Sequence, residues 1–126
     1  MKSHSPSSDL RATWNDYTLA WQAPSDAERR SLFVRCLNPT CDYADPIVEV
    51  TGWHALADYM NDLQAQIPGV HFHTTRFVSH HGTSVAWWEM RDGHESVLGE
   101  GVSQGEYGAD GRLRRMRGYF DVPGAT

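Results

Sequence analysis

The chain changes its hydrophobic period once, near residue 70. Upstream, apolar residues recur at three- and four-residue steps; downstream, they alternate with polar ones. "SSDLRATWNDYTLAWQAP" opens on Ser and Asp residues suited to capping a helix. It places Leu10, Trp14, Tyr17, Leu19 and Trp21 mostly on one side, and Pro24 stops it. "SDAERRSLFVRCL" restarts with Ser25 as cap and Glu28 three residues on, a capping-box spacing. Leu32, Phe33, Cys36 and Leu37 form its apolar stripe, and Asn38-Pro39 ends it. "CDYADPIVEVTG" is short and broken by Pro46, which predicts two short extended pieces around the proline rather than a central strand. "GWHALADYMNDLQAQIPG" is the clearest helix. Leu56, Tyr59, Met60, Leu63 and Ile67 repeat at helical spacing, and Pro68-Gly69 closes it.

Beyond residue 70, "VHFHTTRFVSHH", "TSVAWWEMRD", "SVLGEGVSQGEY" and "RLRRMRGYF" alternate as strands do. Their joints "HHGT", "DGHE" and "GADG" carry the Gly and Asp that turns require. The expectation is one α+β domain over residues 9–121, with a polar, Ser-rich tail at 1–8 and a short tail at 122–126. A long, strongly curved antiparallel sheet with three helices in its concave face would leave a cone-shaped cavity. Alternation puts Ser84, Ala86, Trp88 and Met90 on one face and Val85, Trp87 and Glu89 on the other. Gly99, Gly101, Ser103 and Gly105 share a face of the next strand. Those glycines either open space for a flat ligand opposite aromatics or mark a bent strand.

Composition narrows the function classes. A net charge of −5 and a pI near 5.7 argue against nucleic acid as a partner. No apolar run reaches the ~20 residues of a membrane helix, so no membrane partner and a cytoplasmic location are expected. Cys36 and Cys41 match no metal spacing and read as reduced structural thiols. Seven histidines include no HxxxH pair, so no metal is expected. His71 and His73 share a strand face, and either could line a pocket as an acid or base, with His73 taken as the candidate. Arg115 and Arg117 fall opposite Met116, beside Trp87 and Glu89, a composition suited to a homodimer surface on the outer sheet face. No nucleophile elbow, phosphate-binding glycine loop or cofactor fingerprint occurs, so no cofactor is expected.

"YADPIVEVTG" poses the chemical question. Asp45 directly precedes Pro46 between Tyr43 and Ile47-Val48, so it either caps a turn or presses a carboxylate against a core. Together with "DYTLAWQAPSD", "WHALADYM" and "GADGRLRRMRGYF", this segment resembles the nuclear transport factor 2-like superfamily, especially its SnoaL-like members and ketosteroid isomerase. The resemblance covers nearly all of residues 9–121. It implies that Asp45 is the proton-shuttling base and that Tyr17 is a hydroxyl donor to a developing oxyanion. It makes Tyr59 a pocket aromatic, turns Trp88 toward the cone, and has Met116, Gly118 and Phe120 line it. Where the pattern has a second acid, this chain has Ser103, which leaves the implied oxyanion hole incomplete. A carboxylate walled by apolar groups has its charged form disfavoured, which suits proton uptake from a carbon beside a carbonyl.

Three readings follow. One is an isomerase or cyclase acting on a flat, apolar carbonyl compound. The second is a binding domain for a small hydrophobic molecule, without chemistry. The third is a dimerisation module with a filled cone.

Overall fold

In the computed structural model, which describes residues 6–122, the elements run α1 (Pro6–Ala20), α2 (Asp26–Cys36), β1 (Leu37–Ala44), β2 (Glu49–Thr51), α3 (Trp53–Gln66), β3 (His71–His80), β4 (Thr83–Arg91), β5 (Val97–Tyr107) and β6 (Leu113–Tyr119). Helix α1 thus begins inside the stretch expected to be a tail, while residues 1–5 and 123–126 lie outside the described residues. The four alternating segments are β3 to β6, and the three Gly- and Asp-bearing joints are their turns. Asp92 and Asp110 act as turn acceptors there, for the N–H groups of His94 and Ser96 and of Arg112. Ser25 caps α2 by accepting from Glu28 N–H at 3.2 Å.

The six strands form one curved sheet in the order β2-β1-β6-β5-β4-β3. Two expectations about it are corrected. Strand β1 is eight residues long and interior, flanked by β2 and β6. It also runs parallel to β6, so the sheet is not wholly antiparallel. The prolines permit this because Pro46 lies beyond the strand's end and Pro39 sits where the β1–β6 register shifts, between Leu37 and Asp42. Gly52 makes the sharp entry to α3: its φ of 87° suits glycine, and its N–H donates to Cys41 O at 2.8 Å.

The core lies between the helices and the inner sheet face. Leu10, Trp14 and Tyr17 of α1, Trp21 just after it, Phe33 and Cys36 of α2, and Leu56 and Met60 of α3 pack against Tyr43, Ala86, Leu113 and Met116. Trp88 and Met116 both face inward, as the alternation requires. Leu19 is 46% exposed and leaves the predicted stripe, since it sits two residues from both Tyr17 and Trp21 on a 3.6-residue helix. Burial pushes both thiols up, Cys41 to about 11, which leaves them protonated and inert.

Arg29 is the unexpected member of this core. The residue is 1% exposed, yet its Nε donates to Ala20 O at 3.1 Å and Nη1 donates to Asn61 Oδ1 at 2.7 Å and Asp26 Oδ1 at 3.2 Å. One guanidinium thereby ties the end of α1 to α2 and α3 and fixes where Trp21 sits. On the outer sheet face, the Arg76 guanidinium lies 4.8 Å from the Trp87 ring centroid. Among the described residues no helix is long and apolar enough to cross a membrane.

Candidate functional site

Asp45 follows the last residue of β1, and its carboxylate does two jobs. Oδ1 accepts from the N–H groups of Ile47 (2.8 Å) and Val48 (3.1 Å), while Asp45 N–H donates to Val48 O at 3.0 Å. That is the turn expected of an Asp-Pro pair. Oδ2 accepts from the Tyr43 hydroxyl at 2.6 Å and the Tyr59 hydroxyl at 2.7 Å. Tyr43 arrives because residues two apart on a strand share a face; Tyr59 is delivered by α3. A carboxylate offers about four lone-pair sites, and four donors engage this one. Burial, reinforced by the nearby Asp45 carboxylate, raises both phenols well above the ordinary tyrosine range, so they stay protonated as donors.

Asp45 forms part of the wall of a cavity of about 570 Å³ between the second half of α1, α3 and the inner sheet face. Eight aromatic side chains line it: Trp14, Tyr17, Trp21, Tyr43, Tyr59, Phe72, Trp88 and Phe120. The rings form a continuous chain of tilted and edge-on contacts. Trp21 lies 5.6 Å from Tyr43, 5.9 Å from Tyr59 and 5.4 Å from Phe72; Phe72 lies 5.2 Å from Trp88, and Trp88 6.1 Å from Phe120. Tyr17 lines the same cavity but is not among the donors to Asp45. Burial holds its phenol far above the usual range. Ser103 accepts from Trp88 Nε1 at 2.9 Å, and Gly118 lies beside it.

The candidates therefore divide. Asp45, Tyr17, Tyr59, Trp88, Ser103, Gly118 and Phe120 come together on the cavity. Met116 does not line it: at 1% exposure it is core, in register with Tyr43 and Gly105. His73 does not line it either. It is exposed and pairs with Glu89 on the outer face, and its neighbour Phe72, opposite Met90, is the inward residue. Phe72 and Tyr43 were missed as site residues: alternation from Asp45 marks Tyr43 as inward, whereas Phe72 is assigned only by the β3–β4 register. The glycine question is also settled. A Cβ at Gly101 would collide with Trp88 Cζ2, so that space holds the protein's own indole; at Gly99 nothing lies within 4 Å.

The sequence profile described as the SnoaL-like domain matches residues 14–118. The chain belongs to the SnoaL-like domain family. No curated protein matches it in sequence. Among solved structures, this SnoaL-like chain resembles a SnoaL-like family protein from Agrobacterium tumefaciens str. C58, provisionally named an isomerase. That pair has a TM-score of 0.83 and 18% identity over 91% of this chain and 99% of the other. A SnoaL-like protein from Jannaschia sp. CCS1, provisionally named a polyketide cyclase, gives a TM-score of 0.75 and 14% identity over 96% and 92% of the two chains. A protein of ketosteroid isomerase-like fold from Catenulispora acidiphila DSM 44928, solved in complex with trimethylamine, gives 0.72 and 10% over 87% and 85%. At these identities the likeness is one of fold.

In this SnoaL-like fold the exposed residues of the cavity wall are Ile47 and Leu98, 62% and 46% exposed, together with Glu100 and Asp121.

Proposed function

We propose that this SnoaL-like protein binds a small, flat, largely apolar organic molecule in its cavity, with Asp45 and its two phenols as the polar centre that orients it. The observation that carries this reading is an acid engaged by four donors on the wall of a 570 Å³ cavity surrounded by eight aromatic side chains. Apolar walls with a few convergent polar groups are the ordinary make-up of small-molecule sites. Trp14 adds support: it lines the cavity at 2% exposure, and its indole N–H has no acceptor among the described residues. The test is titration with 2-acetonaphthone, followed by quenching of the lining tryptophans. Saturable quenching is expected in wild type. It is expected to vanish in Gly118→Leu, whose side chain would grow beside Asp45 Cβ and Ser103 Oγ. Unchanged quenching in a folded Gly118→Leu rejects the reading, as does the failure of 2-acetonaphthone, benzyltrimethylammonium and neopentylbenzene alike to bind wild type.

A second reading, proton transfer at a carbon beside a carbonyl, draws on the placement of Asp45, Tyr17 and Ser103 on one cavity. It draws also on neighbours provisionally named isomerase and polyketide cyclase. Asp45 would take the proton after one tyrosine releases it, and the Tyr17 phenol would donate to the enolate oxygen. Deuterium exchange into the methyl group of 2-acetonaphthone reports this step directly. Asp45→Asn is expected to slow exchange by ~10²–10⁴-fold and Tyr17→Phe by ~10²–10³-fold. Equal exchange in wild type and Asp45→Asn removes the catalytic reading and leaves binding.

A homodimer through the outer sheet face is proposed from the Arg76–Trp87 pair, Arg115 and Arg117, and from the exposure of Val78 and Tyr119 on that side. Light scattering that finds a monomer at tens of micromolar, roughly the working range of a standard-sized interface, rejects it.

A further inference from the structure

We infer that the cavity's ligand is an organic cation, a quaternary ammonium or a protonated tertiary amine, with its nitrogen held between the Asp45 carboxylate and the rings of Trp21, Tyr43 and Tyr59. The inference rests on the reading of the cavity as a binding site and adds the ligand's charge.

Charge is the first observation. Three acidic residues contribute to the cavity wall, Asp45 with its carboxylate inside and Glu100 and Asp121 at the edge, Glu100 in register with Glu89 of the outer face, and among the described residues no Arg, Lys or His lines it. All four donors to Asp45 are neutral phenols or backbone N–H groups. They steady the carboxylate without cancelling its charge, and none of the ion pairs among the described residues includes Asp45. An anionic ligand would meet repulsion throughout, whereas a cation would supply the missing countercharge. Dispersal of a partly buried charge matters more here than at the surface, because low-dielectric walls screen it less.

The aromatic walls point the same way independently. Trp21, Tyr43 and Tyr59 contact one another pairwise, at centroid separations of 5.6, 5.9 and 5.8 Å, and two of the three donate to Asp45. Ring quadrupoles attract a cation within about 6 Å of a centroid, and quaternary ammonium groups are the ligands such clusters recognise. Elsewhere in the fold the protein supplies its own cations to rings: Arg11 to Phe77, Arg30 to Trp53 and Arg76 to Trp87. None of those three rings lines the cavity. The arginines are spent outside it, and the rings within it have no cation from the described residues. Because the Tyr43 and Tyr59 hydrogens are committed to Asp45, the phenol oxygens keep lone pairs that would also accept from a protonated amine.

The experiment compares benzyltrimethylammonium with its neutral isostere neopentylbenzene by tryptophan fluorescence and calorimetry on the full chain. The cation is expected to bind about tenfold tighter or more. Asp45→Asn is expected to weaken the cation by about tenfold and to leave the isostere within about twofold. Should Asp45→Asn fail to fold, the double variant Glu100→Gln/Asp121→Asn serves, with roughly threefold weaker cation binding and an unchanged isostere. The wild-type comparison needs no variant. If the isostere binds as tightly as the cation, or if 2-acetonaphthone binds and the cation does not, the charge inference is overturned and the cavity reading stands. If none of the three compounds binds, the cavity reading falls and the inference with it.

Discussion

The inner face of the sheet keeps its alternation between a few bulges, one of them between Thr74 and Arg76, yet one end is solid and the other is open. At the solid end, the space above Gly105 is taken by Leu113 Cδ2, Ser84 Oγ and Trp14 Cζ3, at 2.8, 2.9 and 3.4 Å from where a Cβ would stand. Its polar groups satisfy each other, with Ser84 Oγ and the Tyr107 hydroxyl 2.8 Å apart. At the open end, the strands carry Gly99, Gly118 and Ser103, and the side chains are rings held apart by their own contacts. There the half-buried acid is satisfied by phenols and backbone while a cavity remains beside it. The comparison teaches that alternation decides which residues turn inward, whereas residue size and ring geometry decide whether the inside is filled.

Leu113→Ala tests the independence of the two ends most severely. Leu113 is fully buried, so truncation is expected to cost about 2–5 kcal/mol by chemical denaturation. Affinity for 2-acetonaphthone should be unchanged in the folded fraction. Lost affinity with little lost stability would show that the two ends are one unit.

Gly101→Ala approaches the boundary from the open side. The new methyl would meet the Trp88 ring and Tyr119 O, at an expected cost of about 1–3 kcal/mol. Because Trp88 must shift, its emission maximum should move and ligand quenching should change. A variant as stable as wild type with an unmoved spectrum would mean that the sheet gives way instead of the indole.

Tyr59→Phe removes one donor from Asp45 and almost nothing else. Since Tyr59 is half-buried, the expected loss of stability is about 1 kcal/mol. Its sharper readout is the ligand: a freed lone pair on Asp45 should speed deuterium exchange if the proton-transfer reading holds, and an unchanged rate counts against that reading.

The smallest effect lies beside the open end, at the start of β3. The Gly69 carbonyl, and then Glu95, raise the His71 imidazole above its ordinary 6.5. A raised folded value means that the contribution is complete below the unfolded value and is lost as pH rises through the folded one. His71→Ala should therefore lower Tm by about a degree at roughly pH 5.5 and by less at roughly pH 8.5. An equal shift at both pH values would show that the loss is one of packing.

Much of this molecule was legible in its sequence. The period of two placed β3 to β6 and their turns, and it put Trp88 and Trp87 on opposite faces. The helical stripe selected Trp14, Tyr17 and Trp21, and the Asp-Pro pair marked Asp45 as a carboxylate at the end of a strand. These features are local, since backbone geometry makes residues at fixed separations share a face. The same rule sets His73 against Phe72, but it needed the β3–β4 register to say which one looks inward. Other features depended on contacts between segments far apart in the chain. The parallel pairing of β1 with β6, the burial of Arg29 among three helices, and the arrival of Tyr59 at Asp45 all depend on how elements pack. Whether a glycine's space stays empty, as at Gly99, or is filled by an indole, as at Gly101, is likewise a matter of distances between elements. Periodicity orients side chains within an element, but only close packing, in which each volume is claimed once, determines which space is left open.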